Sequence, residues 1–232
     1  MAAVSVIICT RNRAEHLRGA LQSLASVYIP EGWVAECVII DNGSTDNTQK
    51  VIAESEIPQF ETRVIREGRP GKSHAVNTAL TQVRGDALLF TDDDVRVPEN
   101  WVVGMTTPIF SGKADAVAGG VVLAPHLERP WQKVNPWLAT PLAVTSVLSS
   151  ACPQRLVGAN MAISRSVFDI VPGFDVRLGP GSELGLGEET LLSEQIREAG
   201  FHMASAFDVV VEHHCSEDRL LRASYLKTAE QI

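Results

Sequence analysis

The sequence predicts an α/β domain: a mostly parallel central sheet flanked by helices, with a less regular second half. Three observations carry this. Short runs rich in Val and Ile alternate with helical patterns from the start of the chain to residue 94. These runs are apolar throughout rather than alternating with polar residues, as parallel strands covered on both faces are. Several of them end in a cluster of polar or charged residues, and strands running the same way bring such ends to one edge. The 232 residues, 45% of them apolar, suffice for one substantial core.

Taken in order, Val4–Thr10 is a first buried strand, ending in Arg11-Asn12-Arg13. Leu17, Ala20, Leu21 and Leu24 then mark a helix that Pro30-Glu31-Gly32 breaks. Cys37–Ile40 is a second strand, stopping at Asp41-Asn42-Gly43-Ser44-Thr45-Asp46. Ser44 or Asp46 is placed to cap the next helix, which carries Val51 and Ile52. Thr62–Ile65 is a short third strand. The loop Gly68–Ser73 feeds a helix with Ala75, Val76, Ala79 and Leu80, and Asp86–Phe90 is a fourth strand. Beyond it, Trp101–Phe110 reads as a helix and Ala116–Leu123 as a strand. Pro125–Pro153, with Trp131 and Trp137, reads as an excursion over the sheet suited to a lid or acceptor surface. Leu156–Ser164 is predicted as a strand, Gly173–Gly187 as a glycine-rich loop and Glu188–Ala199 as a helix ended by Gly200. Val209–Val211 is a last strand, and Ser216–Ile232 an amphipathic tail helix.

Composition narrows the function. A net charge of −8 argues against a general nucleic-acid surface. An anionic ligand such as a sugar nucleotide would need a local cation. Cys9, Cys37, Cys152 and Cys215 are scattered with no CxxC pair, as expected for reduced thiols in the cytoplasm. No apolar run approaches a membrane span, and Met1–Cys9 has no basic flank, so it is expected to be a strand rather than a signal peptide.

The run Leu88-Leu89-Phe90-Thr91-Asp92-Asp93-Asp94 climbs from apolar to acidic. Carboxylates are costly to bury, so these belong at the carboxyl edge of the sheet, where open α/β folds bind ligands. Three adjacent acids suit a hard cation, Mg²⁺ or Mn²⁺, that bridges protein carboxylates and phosphates; a solvated acidic loop is the plain alternative. Thr10–Arg13, Asp41–Ser44 and His213–His214 are expected at the same edge. Asp41 would accept an N–H of uracil, thymine or guanine, or form an Asx turn. Arg11, Arg13 and Lys72 would reach phosphates, or are ordinary surface charge. His213 or His214 would complete a metal shell. Glu188-Glu189 opens a helix behind the glycine-rich loop, favourable at a helix N-terminus and also suited to a general base on a mobile segment. Asn160 is a hydrogen-bonded interior amide or a contact to donor or acceptor hydroxyls.

In this order, Val4–Arg13, Val38–Asp46, Gly71–Leu80, Asp92-Asp93-Asp94, Gly158–Ala162, Gly173-Phe174-Asp175, Gly187-Glu188-Glu189 and Val211-Glu212-His213 resemble the family-2 inverting glycosyltransferases of the GT-A fold. The acidic triplet alone is weak; the ordered set, spanning most of the chain, is specific. The resemblance implies one GT-A (Rossmann-like) domain over 1–232, with a nucleotide-sugar half (1–94), an acceptor and catalytic half (95–215) and a C-terminal helix (216–232). It implies that Asp41 binds the base, with Thr10, Arg13 and neighbouring Asn42 on the donor side. Asp94 would be the main metal ligand, Asp92 or Asp93 would face ribose or metal, and His213 would be a further ligand. Glu189 stands where the family's Glu-Asp motif places its base. The motif here is Glu-Glu, a departure that leaves Glu188 and Glu189 open as alternatives.

The implied activity is a metal-dependent, non-processive inverting transfer from a nucleotide-diphosphate sugar to an acceptor hydroxyl. UDP is favoured over GDP or dTDP by family habit, and the acceptor is a glycan, a lipid-linked sugar or a small molecule. The QxxRW motif of processive synthases is absent. The alternatives are a sugar-1-phosphate nucleotidyltransferase, against which stands the lack of glycine in Thr10–Arg13, and a catalytically silent nucleotide- or carbohydrate-binding module. Arg219, Arg222 and Lys227 beside the tail leucines also allow a peripheral membrane or oligomer contact, against the ordinary reading of a helix packed on a core.

Overall fold

The computed structural model describes residues 2–134, 141–145 and 155–224; Trp137, Cys152, Tyr225 and Lys227 lie outside them. Along the described residues run β1 (Ala3–Thr10), α1 (Ala14–Leu24), β2 (Val34–Asp41), α2 (Thr48–Glu54), β3 (Glu61–Arg66), α3 (Lys72–Leu80), β4 (Ala87–Asp92), β5 (Val95–Arg96), α4 (Trp101–Phe110), β6 (Ala116–Leu123), α5 (Pro130–Val134), β7 (Met161–Ser164), α6 (Glu188–Glu198) and β8 (Met203–His213). The strands form one eight-stranded sheet in the order β3-β2-β1-β4-β7-β6-β8-β5. The pairs β1–β2, β1–β4, β2–β3 and β6–β8 are parallel; β7 is antiparallel to both β4 and β6, and short β5 is antiparallel to β8. The expected α/β architecture is the observed one. Among the described residues, no helix is long and apolar enough to cross a membrane.

Strand alternation divides the core in two. Val4, Val6 and Ile8 of β1 face Leu17, Leu21 and Leu24 of α1 and Trp101 and Met105 of α4. Ile7, with Val38 and Ile40 of β2, faces Val76 and Ala79 of α3 and Leu192 and Ile196 of α6. Each buried Val, Leu, Ile or Met side chain contributes about 1.5–3 kcal/mol.

Several elements differ from expectation. β4 runs past Phe90 through Asp92, because β1 offers ladder partners as far as Cys9, which pairs with Asp92. The strand predicted over 156–164 begins only at Met161, because residues 158–160 form a turn around Asn160. That side chain is fully buried: Nδ2 donates to the carbonyls of Gly120 (2.8 Å) and Val209 (2.9 Å), and Oδ1 accepts from Trp101 Nε1 (2.9 Å). Asn160 is therefore the interior amide of the two readings. As a donor-binding candidate it is corrected, since it stitches α4, β6 and β8 together inside the protein. β8 spans Met203–His213 rather than Val209–Val211 alone. Its first half, Met203-Ala204-Ser205-Ala206, has little intrinsic strand preference and is recruited by β6, with a register shift at Gly119/Gly120. Of the two residues placed to cap α2, Asp46 accepts from the backbone N–H of Thr48 at the start of the helix (2.9 Å), whereas Ser44 Oγ accepts from the N–H of Asn12. In the tail, the described residues form a 3₁₀ turn over Glu217–Leu220 and are helical at 222–224; the remainder of the expected tail helix lies outside the described residues.

At the edge where β1 and β2 begin, a buried carboxylate locks the strands. Glu36 accepts from Ser5 Oγ (2.6 Å), Arg84 N–H (2.6 Å), Arg63 Nη1 (2.9 Å) and Arg84 Nε (3.1 Å), while Ser5 Oγ accepts from Gly85 N–H (2.8 Å). Burial would raise the Glu36 pKa, but the bonds from Ser5, Arg84 and Arg63 outweigh it and hold the carboxyl below its usual value. A depressed pKa contributes stability that is present above the unfolded-state value of about 4.3 and lost as pH falls through the folded value. Glu36→Gln is expected to destabilise the fold by about 1–3 kcal/mol at pH 7 and to flatten the acid limb of stability. Urea unfolding of both proteins between pH 7 and pH 3 checks this; equal stability and equal acid slopes would contradict it.

Candidate active site

β1, β2 and β4 are parallel, and two antiparallel steps through β7 followed by the parallel β6–β8 pair return β8 to the same direction. All four therefore end on one edge. A crevice of about 290 Å³ opens there, lined by Thr10, Arg11, Arg13, Asn42, Lys72, Asp92, Asp93, Asp94 and His213. Thr10, Arg11, Arg13, Asn42, Asp92–Asp94 and His213 belong to the four clusters expected at this edge, and Lys72 joins them from the start of α3. Cys9, Gly71, Pro180, Gly181 and Arg219 also line it. Asp41 lies at the end of β2 but is buried, accepting from Ser44 N–H (2.8 Å) and Gln49 Nε2 (3.1 Å). The Asn42 amide donates to the carbonyls of Glu67 (2.9 Å) and Arg69 (2.7 Å), so it holds the loop before α3 while its residue borders the crevice.

The acidic triplet divides into three environments. Asp92, at the last position of β4, accepts from Lys72 Nζ at 2.7 Å. Asp93 turns inward, accepting from Thr10 Oγ1 (2.8 Å) and lying 3.3 Å from Arg13 Nε. Burial pushes its pKa up to about 7 against the pull of Arg13. Asp94 accepts from Arg13 Nη2 at 2.5 Å and lies 3.3 Å from His213 Nε2. Burial alone would raise the Asp94 pKa, yet His213 and Arg13 outweigh it and keep the carboxyl well below the usual range. Arg13 is thus paired with two acids and Lys72 with Asp92, where the sequence left phosphate contact and ordinary surface charge as alternatives.

His213, not His214, faces Asp94. Its Nδ1 meets the Leu142 carbonyl at 2.7 Å and so carries the proton; its buried Nε2 makes no hydrogen bond. His214 turns to Glu212 (3.2 Å) and stacks near His126. A carbonyl-oriented imidazole with an unpartnered nitrogen beside a carboxylate is what a metal ligand with its supporting hydrogen bond requires. The pair fits a divalent cation. Asp92 is turned away toward Lys72, and among the described residues no cluster of three His, Cys, Asp or Glu side chains closes a shell. Two protein ligands would leave positions for water and phosphate oxygens, as Mg²⁺ sites do.

Lys72 joins this edge to the second acidic pair, with Glu189 Oε1 3.5 Å from its Nζ. Glu189 lines a small recess with Cys9, Thr91, Gly158 and Phe174 that opens beside the crevice. Glu188 is buried, its carboxyl raised to about 7 by burial and then by the neighbouring Glu189. Two glycines make room for these acids: a Cβ at Gly158 would strike the Glu189 carboxylate, and one at Gly179 would press on the Glu188 carboxyl. Both glutamates open α6 just after Gly187, whose φ of 98° suits glycine. The loop before them is latched to α3. Lys72 N–H donates to Pro180 O (2.9 Å), Ser73 Oγ to Leu178 O (2.8 Å), and Asn77 bonds both backbone groups of Phe174. The tail residue Arg219 faces this crevice rather than standing on an outer face.

Residues 5–169 match the description Glycosyl transferase family 2. Glycosyltransferase AglE of Haloferax volcanii is 29% identical over 119 residues, covering 51% of this chain and 39% of that protein. Glucosyl-3-phosphoglycerate synthase of Mycobacterium tuberculosis is 24% identical over 200 residues, covering 76% of this chain and 59% of that protein. Its structure with Mn²⁺, UDP and glucosyl-3-phosphoglycerate superposes with a TM-score of 0.63 at 20% identity, over 99% of this chain and 78% of that one. The mannosyltransferase PcManGT of Pyrobaculum calidifontis, solved with GDP-Man and Mn²⁺, gives a TM-score of 0.68 at 21% identity, over 99% of this chain and 64% of that one. The chain thus spans about two fifths to three fifths of the length of these sequence relatives, and the superpositions place its fold among those of glycosyltransferases. On the match over residues 5–169, it belongs to glycosyl transferase family 2.

Proposed function

We propose that the protein is a metal-dependent inverting glycosyltransferase that moves a sugar from a nucleoside-diphosphate donor to a hydroxyl acceptor. The observation that carries this is the pairing of Asp94 with the unpartnered Nε2 of His213 in a crevice that Lys72 links to Glu189. Residues 1–94 supply the donor side, 95–215 the acceptor side, and 216–232 a tail that begins against the crevice. Asp41 accepts an N–H of the base; each of its oxygens takes one bond in the present structure and keeps a lone pair. Thr10, Arg11, Arg13 and Asn42 border the ribose and phosphates.

The acceptor oxygen forms a bond to the anomeric carbon from the face opposite the leaving group. Its proton passes to Glu189, and the bond from that carbon to the terminal phosphate oxygen breaks, its electron pair leaving with the diphosphate. A single displacement inverts the centre. Glu188, buried behind Glu189, limits where that carboxylate can sit, and Lys72 tethers it from the other side. Asp94 and His213 would hold the cation, Mn²⁺ or Mg²⁺, which when bound neutralises charge growing on the diphosphate and orients it. The structures of relatives name both GDP-Man and UDP with Mn²⁺, so the base stays open between guanine and a pyrimidine.

Calorimetry with UDP, GDP and dTDP, in Mn²⁺ and then in EDTA, tests the reading. Wild-type protein is expected to bind one diphosphate only with metal, and Asp94→Ala to abolish the metal-dependent part. Equal affinity of Asp94→Ala with and without Mn²⁺, at the wild-type value, would remove Asp94 from the metal site. Glu189→Gln should lower turnover roughly 10²–10⁴-fold, the usual span for general-base loss, with nucleotide affinity retained; near-wild-type turnover would exclude Glu189 as the base. Gly158→Ala, which crowds the Glu189 carboxylate, is expected to reduce kcat while sparing nucleotide binding, and unchanged kcat would show that the recess tolerates the displacement.

A further inference from the structure

The cations of the crevice are unequally engaged. Arg13 lies between Asp93 and Asp94, and Lys72 between Asp92 and Glu189. Cations already paired with acids offer an incoming anion little unless those pairs break. Arg219, on the 3₁₀ turn after β8, lines the same crevice, and among the described residues it forms no ion pair with a carboxylate. Its Nη2 donates to the Pro141 carbonyl at 3.0 Å. The next carbonyl, that of Leu142, receives His213 Nδ1 at 2.7 Å. Two consecutive carbonyls therefore orient the guanidinium and the imidazole. The stretch that carries them is pinned to β6: Thr145 N–H donates to Val121 O (3.1 Å) and Val121 N–H to Thr145 Oγ1 (2.8 Å).

A guanidinium has five N–H donors in a planar fork that matches phosphate oxygens. One is spent on Pro141. We propose that Arg219 clamps the terminal phosphate of the nucleoside diphosphate beside the Asp94–His213 pair, and that residues 141–145 position both; this rests on the transferase reading above. The terminal phosphate is the group on which charge grows as the glycosidic bond breaks, so a fixed cation there acts where the transition state needs it. Segment 141–145 would then tie the irregular excursion after β6 to the leaving group, a coupling the sequence order conceals.

The test compares the binding of UDP with UMP, GDP with GMP and dTDP with dTMP, in Mn²⁺, by wild type, Arg219→Ala, Arg219→Lys and Arg222→Ala. Arg222 is exposed in the same tail, so its removal makes the same change in net charge. Arg219→Ala is expected to weaken the diphosphate about 10- to 100-fold, the loss of charge-assisted hydrogen bonds, and the matching monophosphate less than about two-fold. Arg219→Lys should fall between, keeping charge without the fork, and Arg222→Ala should change neither. Equal losses for diphosphate and monophosphate, or none, in a protein whose wild type binds the diphosphate would overturn the assignment and leave the transferase reading standing. A folded wild type that binds none of the six nucleotides would remove both.

Discussion

The site depends on the register of one strand. β1 lies between β2 and β4, parallel to both, so that Thr10 stands beside Asp41 and Cys9 beside Asp92. A slip of one residue would turn Ile7 and Ile8 each to the face the other now packs on and disturb both halves of the core. The packing of β1 on both of its faces therefore holds the polar ends of three strands at one level. At the other end of the same strands Glu36 ties β1, β3 and the loop before β4 by hydrogen bonds to Ser5, Arg63 and Arg84. One edge carries a carboxylate closed in by protein donors; the opposite edge carries carboxylates that line the crevice.

The acids of that second edge do not share one state. Asp93 and Glu188 are driven up to about 7 by burial, whereas Asp94 is held well below its usual range despite burial. Arg13 and Lys72, both on the crevice wall, offset part of the remaining charge. The crowding of like charges that the triplet and the Glu-Glu pair imply is thus relieved within the fold, by proton retention and internal ion pairs. Asp94 stands apart as the acid held ionised by His213 and Arg13, while Asp92 is turned to Lys72.

The glycines of the second half make sense in the same terms. Gly158 and Gly179 sit where side chains would collide with Glu189 and Glu188, and Gly119 sits where a side chain would collide with the Asn160 amide. The loop before α6 is glycine-rich yet tied to α3 by backbone and side-chain bonds at several points. Its composition suggests a hinge; its contacts describe a latch that brings two acids to a fixed place beside Lys72.

By itself the sequence determined the βαβ series, the core faces of α1 and α3, and the strand ends on which Thr10, Arg13, Asp92–Asp94 and His213 meet. Those follow from short-range periodicity and from the cost of burying charge. The tertiary structure alone decided how those groups are used. It turned Asn160 inward, because three partners on α4, β6 and β8 await an amide there. It began β7 late, because residues 158–160 turn around Asn160, and it extended β8, because β6 supplies ladder partners to residues with little strand preference of their own. It also paired Arg13 and Lys72 with acids distant in sequence, chose His213 over His214 through the Leu142 carbonyl, and brought Arg219 to the crevice. Each of these depends on contacts between residues far apart along the chain, which no local pattern of residue types encodes.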